Sequence, residues 1–321
     1  MAGVYRPLAG ALLPFLPALA SGAARILGVS LALACPLAAQ ELEPRALQNA
    51  PVGMSMIGGL AGYSRGNLLV DPAVPIEGAR ADVWSLALAF YRTISLFGQS
   101  GKIGVVAPLY TGTWEGTVAG IDTATSRTGF ADPRLSLSWN FLGSPALTRS
   151  GMRGYRPKTV AGIQLTVQAP LGQYDPERLI NLGLNRWSLQ PRLGVSHPVS
   201  SHLTLEAYGA VTFYSDNPDY YGGTVLSQDP FLEGQLHAIY SFANPGIWVA
   251  GSIGYGIGGR ITVDGVTQDE LQNTRASASF RYPIARQHAL KLVYINGITT
   301  RLGSDYDTVQ LAWQYAFGGR M

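Results

Sequence analysis

The sequence predicts an all-β protein, a transmembrane up-and-down antiparallel β-barrel of about twelve strands, and three observations predict it. Only 13% of the 321 residues are Asp, Glu, Lys or Arg, against 47% hydrophobic, whereas soluble domains carry roughly 25% charged residues. Apolar and polar residues alternate at period two in runs of about eleven to thirteen residues, longer than the usual strand and long enough to cross a bilayer at a tilt. The gaps between runs alternate long and short, as in barrels with tight turns at one end and longer loops at the other.

Residues 1–40 read as an export signal. Arg25 supplies the charged edge, "ILGVSLALACPLAA" the apolar core and "LAAQ" the small residues for cleavage near Ala39 or Gln40. The alternative, lipoprotein processing at "ALAC", places Ala32 poorly, three residues before the cysteine. Cleavage near Gln40 removes Cys35, the only cysteine, which suits an oxidising compartment and excludes thiol chemistry. Residues 41–321 then form one barrel domain.

The runs lie near residues 52–64, 82–93, 102–114, 133–142, 159–171, 185–196, 202–214, 231–243, 246–258, 273–283, 288–300 and 307–317. The first, around "MSMIGGLAG", and the eleventh, around "KLVYINGIT", are the least regular. In the second, Trp84, Leu86, Leu88 and Phe90 oppose Ser85, Ala87, Ala89 and Tyr91; in the fourth, Leu135, Leu137, Trp139 and Phe141 oppose Arg134, Ser136, Ser138 and Asn140. Residues 159–171 set Ile163, Leu165 and Val167 against Gln164, Thr166 and Gln168. The last run places Val309, Leu311, Trp313, Tyr315 and Phe317 on one face. The first, third, fifth, seventh, ninth and eleventh gaps are long and polar and read as outer loops. Most of the others, such as "HPVSS" and "NPG", are tight turns. The exception, "GSPALTRSGMRGYRPK", reads as an excursion with a short helix at the periplasmic end.

A soluble sandwich also alternates, with its polar face toward water. Run length argues for the membrane, and so do aromatics toward the run ends: Trp84, Phe90, Trp139, Phe141, Trp187, Phe213, Tyr255 and Tyr282.

Four stretches, "APVGMSMIGGLAGYSRGNLLVDPAVPI", "YRTISLFGQSGKIGVVAPLYTGTWEG", "PLGQYDPERLINLGLNRWSLQPRLGVS" and "FYSDNPDYYGG", together resemble the outer-membrane transporter family of meta-pathway phenol degradation proteins. "GQYDPERLINLGLNRW" is the most specific of them. The resemblance covers essentially the whole mature chain. It implies a barrel in the bacterial outer membrane, linked to the catabolism of aromatic or otherwise hydrophobic compounds. Its expected partners are the lipid bilayer, small hydrophobic or aromatic solutes and the barrel-assembly machinery. The closing run resembles the terminal sorting strand of such barrels, although "GGRM" follows Phe317. On this view "DPERLINLG" is a loop at the outer mouth.

Little in the sequence points to catalysis. His197, His202 and His288 fall in or beside short turns; His237 sits in mid-strand on the polar face. No Gly-x-Ser-x-Gly elbow appears, and nothing pairs His237 with a serine at readable spacing. No two histidines have metal-ligand spacing, and "SDNPDY" and "GSDYD" lack the pattern of a calcium loop. No cofactor is expected. The net charge of +3 is small and unclustered, which gives no case for nucleic acid.

The informative polar set is the face opposite the lipid. Arg134, Gln164, Gln168, Arg186, Gln190, Arg192, Glu206, Tyr208, Glu233, His237, Arg275 and Arg281 are expected to line the lumen, with Lys291, Gln310 and Gln314; Tyr208, Tyr214 and Trp248 would offer aromatic contact to a solute. These residues can fill the barrel as a mutually bonded ladder or select what passes, and the two roles are compatible. The short turn after residue 196 predicts that Arg192 and Glu206 are cross-strand neighbours. The expected function is a channel for small hydrophobic or aromatic compounds. A non-transporting structural or surface-binding barrel is the alternative, and a membrane-embedded hydrolase using His237 the third reading.

Overall fold

In a chain that turns apolar side chains to lipid at every second position, the other half of each strand must be covered by the opposite wall, which requires closure. The computed structural model describes residues 42–69, 76–118, 120–244 and 246–319; the expected signal, residues 1–40, lies outside them. In chain order the strands are β1 (Met54–Leu69), β2 (Ile76–Leu96), β3 (Gln99–Val118), β4 (Ile121–Phe130), β5 (Arg134–Leu142), β6 (Val160–Gln168), β7 (Ser188–Pro198), β8 (Leu203–Tyr214), β9 (Asn217–Tyr220), β10 (Thr224–Gln228), β11 (Phe231–Ser241), β12 (Trp248–Gly258), β13 (Ile261–Val263), β14 (Val266–Thr267), β15 (Leu271–Pro283) and β16 (His288–Gly318). Eleven of them form a closed antiparallel ring in the order β1, β2, β3, β5, β6, β7, β8, β11, β12, β15, β16 and back to β1, with β4 added on β3.

Strand β16 crosses the wall twice. One arm pairs with β15 and the other with β1. The arms lie side by side: Ala316 N donates to Gln287 O at 2.8 Å and Asn296 Nδ2 to Asp307 Oδ1 at 2.6 Å. The reversal falls at Gly303, whose φ of +110° suits glycine. Ten strands crossing once and one crossing twice give the expected twelve passages.

The register keeps one set of side chains on one face: Gln164 pairs with Arg192, Arg192 with Ala210, Ala210 with Glu233 and Glu233 with Gly256. One position along each strand the face reverses, and Leu86, Leu88, Leu135, Leu165, Leu193, Leu236 and Ile253 are exposed, as lipid contact requires. Exposed Trp84, Trp187, Phe213 and Tyr255 lie toward the outer rim, and Phe90, Phe141, Tyr240 and Tyr282 toward the other; the Trp and Tyr rings among them are amphipathic and suit the headgroup level.

The long polar gaps differ from expectation, because most are strand rather than loop. Strands β1 and β2 run on to Leu69 and back to Ile76. The third gap is a hairpin of β3 and β4 from Leu109↔Phe130 to Val118↔Ile121, tied by Thr111 to Thr128 and Thr113 to Ser126 hydroxyl bonds. The gaps after β8 and β12 supply β9, β10, β13 and β14, a separate four-stranded sheet, whose Tyr220, Leu226, Ile261 and Val263 pack on Phe231, Leu271 and Leu302 of the wall. Beyond the hydrocarbon both faces can be polar, so the alternation fades while the backbone still needs ladder partners. The periplasmic excursion carries one short 3-10 turn, Gly151–Gly154.

Candidate solute pathway

The residues expected to line the lumen share the inner face, and most of them are joined in a bonded lattice. Arg192 donates to Gln235 Oε1 at 2.9 Å and lies 4.1 Å over the Tyr208 ring. Gln190 Nε2 donates to Glu233 Oε2 at 2.8 Å and to Thr212 at 2.9 Å. Arg186, buried toward the outer rim, donates to Gln228 and covers the Tyr214 ring at 4.6 Å. Arg275 donates to Ser304 O and Oγ at 3.0 and 2.9 Å, and Arg281 to Gln314 and to Gly246 O. Gln164 donates to Thr166, and Gln168 to Asp132. Arg134, Gln310 and Gln314 line the central cavity. Tyr208, Tyr214 and Trp248, expected as contacts for a solute, are each covered by an arginine instead, Trp248 by Arg45 at 5.6 Å.

Arg192 and Glu206 are not cross-strand neighbours. Arg192 pairs with Ala210 and Glu206 with Ser196. In the turn, Val199 N and Ser200 N both donate to Leu203 O, which places the reversal later than a symmetric reading of "HPVSS" does. The inner row is thereby offset by four residues.

His237 does meet a serine, fifteen residues along the chain. Its Nδ1 lies 2.7 Å from Ser252 Oγ, a pairing the sequence reading missed because it arises across β11 and β12. It does not complete a triad. The neighbouring carboxylate, Glu206, accepts from Ser196, Tyr208 and the Arg45 backbone, and His237 Nε2 is buried without a partner. Neither His237 nor Ser252 is among the described residues that line the two lumen compartments, one beside Leu60 and Ala87 and the other beside Gln190 and Arg192. Among the described residues no three His, Cys, Asp or Glu side chains gather as metal ligands would.

Two elements narrow the bore, and the sequence revealed only the second, as a loop at the mouth. The first is the segment before β1, residues 42–50, which lies inside the barrel near the end with the short turns. Its anchors come from several walls: Lys102 Nζ donates to Ala46 O at 2.8 Å, Asn140 Nδ2 to Leu47 O at 3.0 Å, and the Arg45 side chain to Ser241 at 3.2 Å. Lys291 pairs with Glu43 at 3.2 Å. Leu42 and Leu47 are buried against wall glycines: a Cβ on Gly254 would lie 2.7 Å from Leu42 Cδ2, and one on Gly162 2.7 Å from Leu47 Cδ2. Glycine there makes the room that the segment occupies.

The second element is the stretch between β6 and β7. Expected as a loop at the mouth, it crosses that mouth and buries Ile180 and Leu182 among Leu68, Ala79, Val83, Trp114 and Tyr306 of β1, β2, β3 and β16. Asp132, in the break between β4 and β5, holds it by accepting from Gly172 N and Leu184 N, both at 2.8 Å, while Gln168 donates to the same carboxylate. Arg127 Nε donates to Ile180 O at 3.1 Å.

Between these elements lies a two-part cavity. The larger compartment, about 160 Å³, has an apolar side formed by Leu60, Ala87, Pro108, Ile295 and Ala312 of β1, β2, β3 and β16, and a polar side that includes Ser85, Thr308, Gln310 and Gln314. The smaller, about 80 Å³, faces Ser136, Gln164, Gln190, Arg192 and Glu233. Tyr91, Val106, Arg134 and Glu43 border both. The inner face thus has an apolar sector opposite a polar one. Arg134, Arg186, Arg192, Arg275, Arg281 and Lys291 share it with fewer carboxylates, Asp132, Glu206 and Glu233.

A family profile described as "Putative MetA-pathway of phenol degradation" matches residues 64–315. The chain belongs to that family. An outer-membrane channel from Pseudomonas putida F1 is similar in structure, with a TM-score of 0.72 at 19% identity over 86% of this chain and 100% of that one. The transport unit of the autotransporter AIDA-I from Escherichia coli gives a TM-score of 0.54 at 10% identity over 89% and 96%. No curated protein sequence matches the chain. With a lipid-facing belt, a closed wall and a polar lumen, the protein is a bacterial outer-membrane β-barrel with a channel fold.

Proposed function

We propose that the protein admits small hydrophobic or aromatic compounds across the outer membrane, in the service of aromatic catabolism. The observation that carries this reading is the apolar sector of the lumen compartment: a general porin filled with water has no use for a row of Leu60, Ala87, Pro108 and Ala312. The family's description supports the catabolic link. The bore is narrow and obstructed, which favours slow, selective passage. Residues 1–40 act as the export signal in this reading, and the barrel-assembly machinery inserts the chain using the aromatic closing strand, where the Tyr315 and Phe317 rings stack at 5.3 Å.

Uptake by proteoliposomes tests the proposal. Small aromatic solutes are expected to enter faster than sugars of similar size, and equal rates, or no entry of either, would contradict it. The extent of the inner lattice favours a second reading, a barrel that does not transport; complete impermeability of a well-folded protein to every solute tested would support it.

A further inference from the structure

The compartment with the apolar sector also carries polar and charged side chains. Arg275 borders it and is only 7% exposed. One terminal nitrogen is bound to Ser304, while Nε is buried with no hydrogen-bond partner. Asp305 and Glu233 act on this guanidinium through space, but its hydrogen bonds among the described residues go to Ser304 and to no carboxylate. A buried guanidinium is costly to desolvate, and an anion bound directly to it relieves that cost. Lys291 and Arg134 also border the compartment; its one carboxylate, Glu43, is engaged by Lys291.

The size of the compartment fixes the apolar part of a ligand. A cavity of about 150 Å³ accepts a benzene ring, and this one, apolar on one side, measures about 160 Å³. We propose that it is a binding site for a small aromatic carboxylate, with the ring against Leu60, Ala87, Pro108 and Ala312 and the carboxylate turned to Arg275. A neutral phenol would fill the same space without answering the positive rim. An aromatic cation would be repelled by the rim. A short aliphatic acid would answer the charge and leave the apolar walls empty. The inference deepens the aromatic-uptake reading and rests on it for its biological sense, but binding can be measured without passage.

Calorimetric titration of the full-length protein in detergent, with benzoate, benzamide and acetate, tests it. Benzoate is expected to bind at least tenfold more tightly than its neutral isostere benzamide, with acetate weaker than either. Arg275→Gln should bring benzoate and benzamide to similar affinities, and Ala87→Phe, which fills the compartment, should abolish both. Equal affinities in the unaltered protein, or a preference that survives Arg275→Gln, would overturn the proposal. If Arg275→Gln does not fold, the comparison in the unaltered protein and the Ala87→Phe result decide. Charge-selective binding without proteoliposome uptake would uphold the site and remove the transport reading. Uptake without charge preference in binding would do the reverse.

Discussion

The backbone N–H of Arg45 donates to Glu206 Oε2 at 2.7 Å, joining the segment inside the lumen to the wall of β8. The same carboxylate accepts from Tyr208 at 2.9 Å and Ser196 at 2.8 Å. A hydrogen bond to a charged group contributes about 1.5–3 kcal/mol, and every 1.4 kcal/mol is about tenfold in an equilibrium. Glu206→Ala should therefore raise the fraction of time the segment is released by roughly ten- to a hundredfold, seen as more frequent openings in single-channel records. Glu206→Gln keeps an acceptor but removes the charge, so it should shift ion preference toward anions. An unaltered open probability in the alanine variant would detach Glu206 from the segment.

Acid should loosen the segment by a second route. Glu43 belongs to no strand; its side chain faces the lumen cavity, and Lys291 beside it holds its carboxyl below the ordinary carboxylate range. A lowered folded-state value means that the ion pair contributes fully above the ordinary carboxylate pKa and is lost as pH falls through the lowered one. The partly wet pair contributes up to about 1 kcal/mol. Openings should increase on acidification, and Glu43→Gln should show the acid behaviour at neutral pH. Openings that decrease with acid would reverse the sign argued here.

The register predicts opposite outcomes for adjacent residues. Leu165 is 40% exposed on the lipid face, whereas Gln164 lies inward and pairs with Arg192. Leu165→Arg should cost about 2–4 kcal/mol if the residue sits near the bilayer midplane, while Gln164→Glu, set opposite an arginine, should be tolerated. Denaturant titration of the folded barrel compares them. Equal losses would mean that the faces are misassigned.

Asp132→Ala should free the stretch across the outer mouth, since it removes the acceptor of Gly172 N, Leu184 N and the Gln168 side chain. Leaving such buried donors unsatisfied costs about 1–3 kcal/mol each. Protease added to intact cells should then cut within residues 172–184, where the unaltered protein resists. Unchanged resistance would show that packing of Ile180 and Leu182 alone suffices.

The inner and outer faces were legible because lipid on one side and a filled lumen on the other impose a strict period of two, as at Leu135 to Trp139. The Arg192 and Glu206 error arose from the turn, where two N–H groups share Leu203 O; composition does not encode that offset. The segment of residues 42–50 was invisible since "LEPRALQNA" has no periodicity. Its signature lies in the wall, in the inward glycines at 162, 194 and 254 and in the inward lysines at 102 and 291. Asp132 left no sign, because the long polar gap before residue 133 hid β4 and the break between it and β5. His237 and Ser252 meet only after β11 and β12 pair, which spacing alone does not reveal.

The central claim is that solutes cross by a lumen which residues 42–50 obstruct. The most direct test is single-channel conductance in planar bilayers of the mature protein beside a form lacking those residues. The account predicts small, infrequent openings for the first and a several-fold larger, sustained conductance for the second, with the aromatic uptake rate rising in parallel. Equal conductance in the two forms, both well folded, would contradict it.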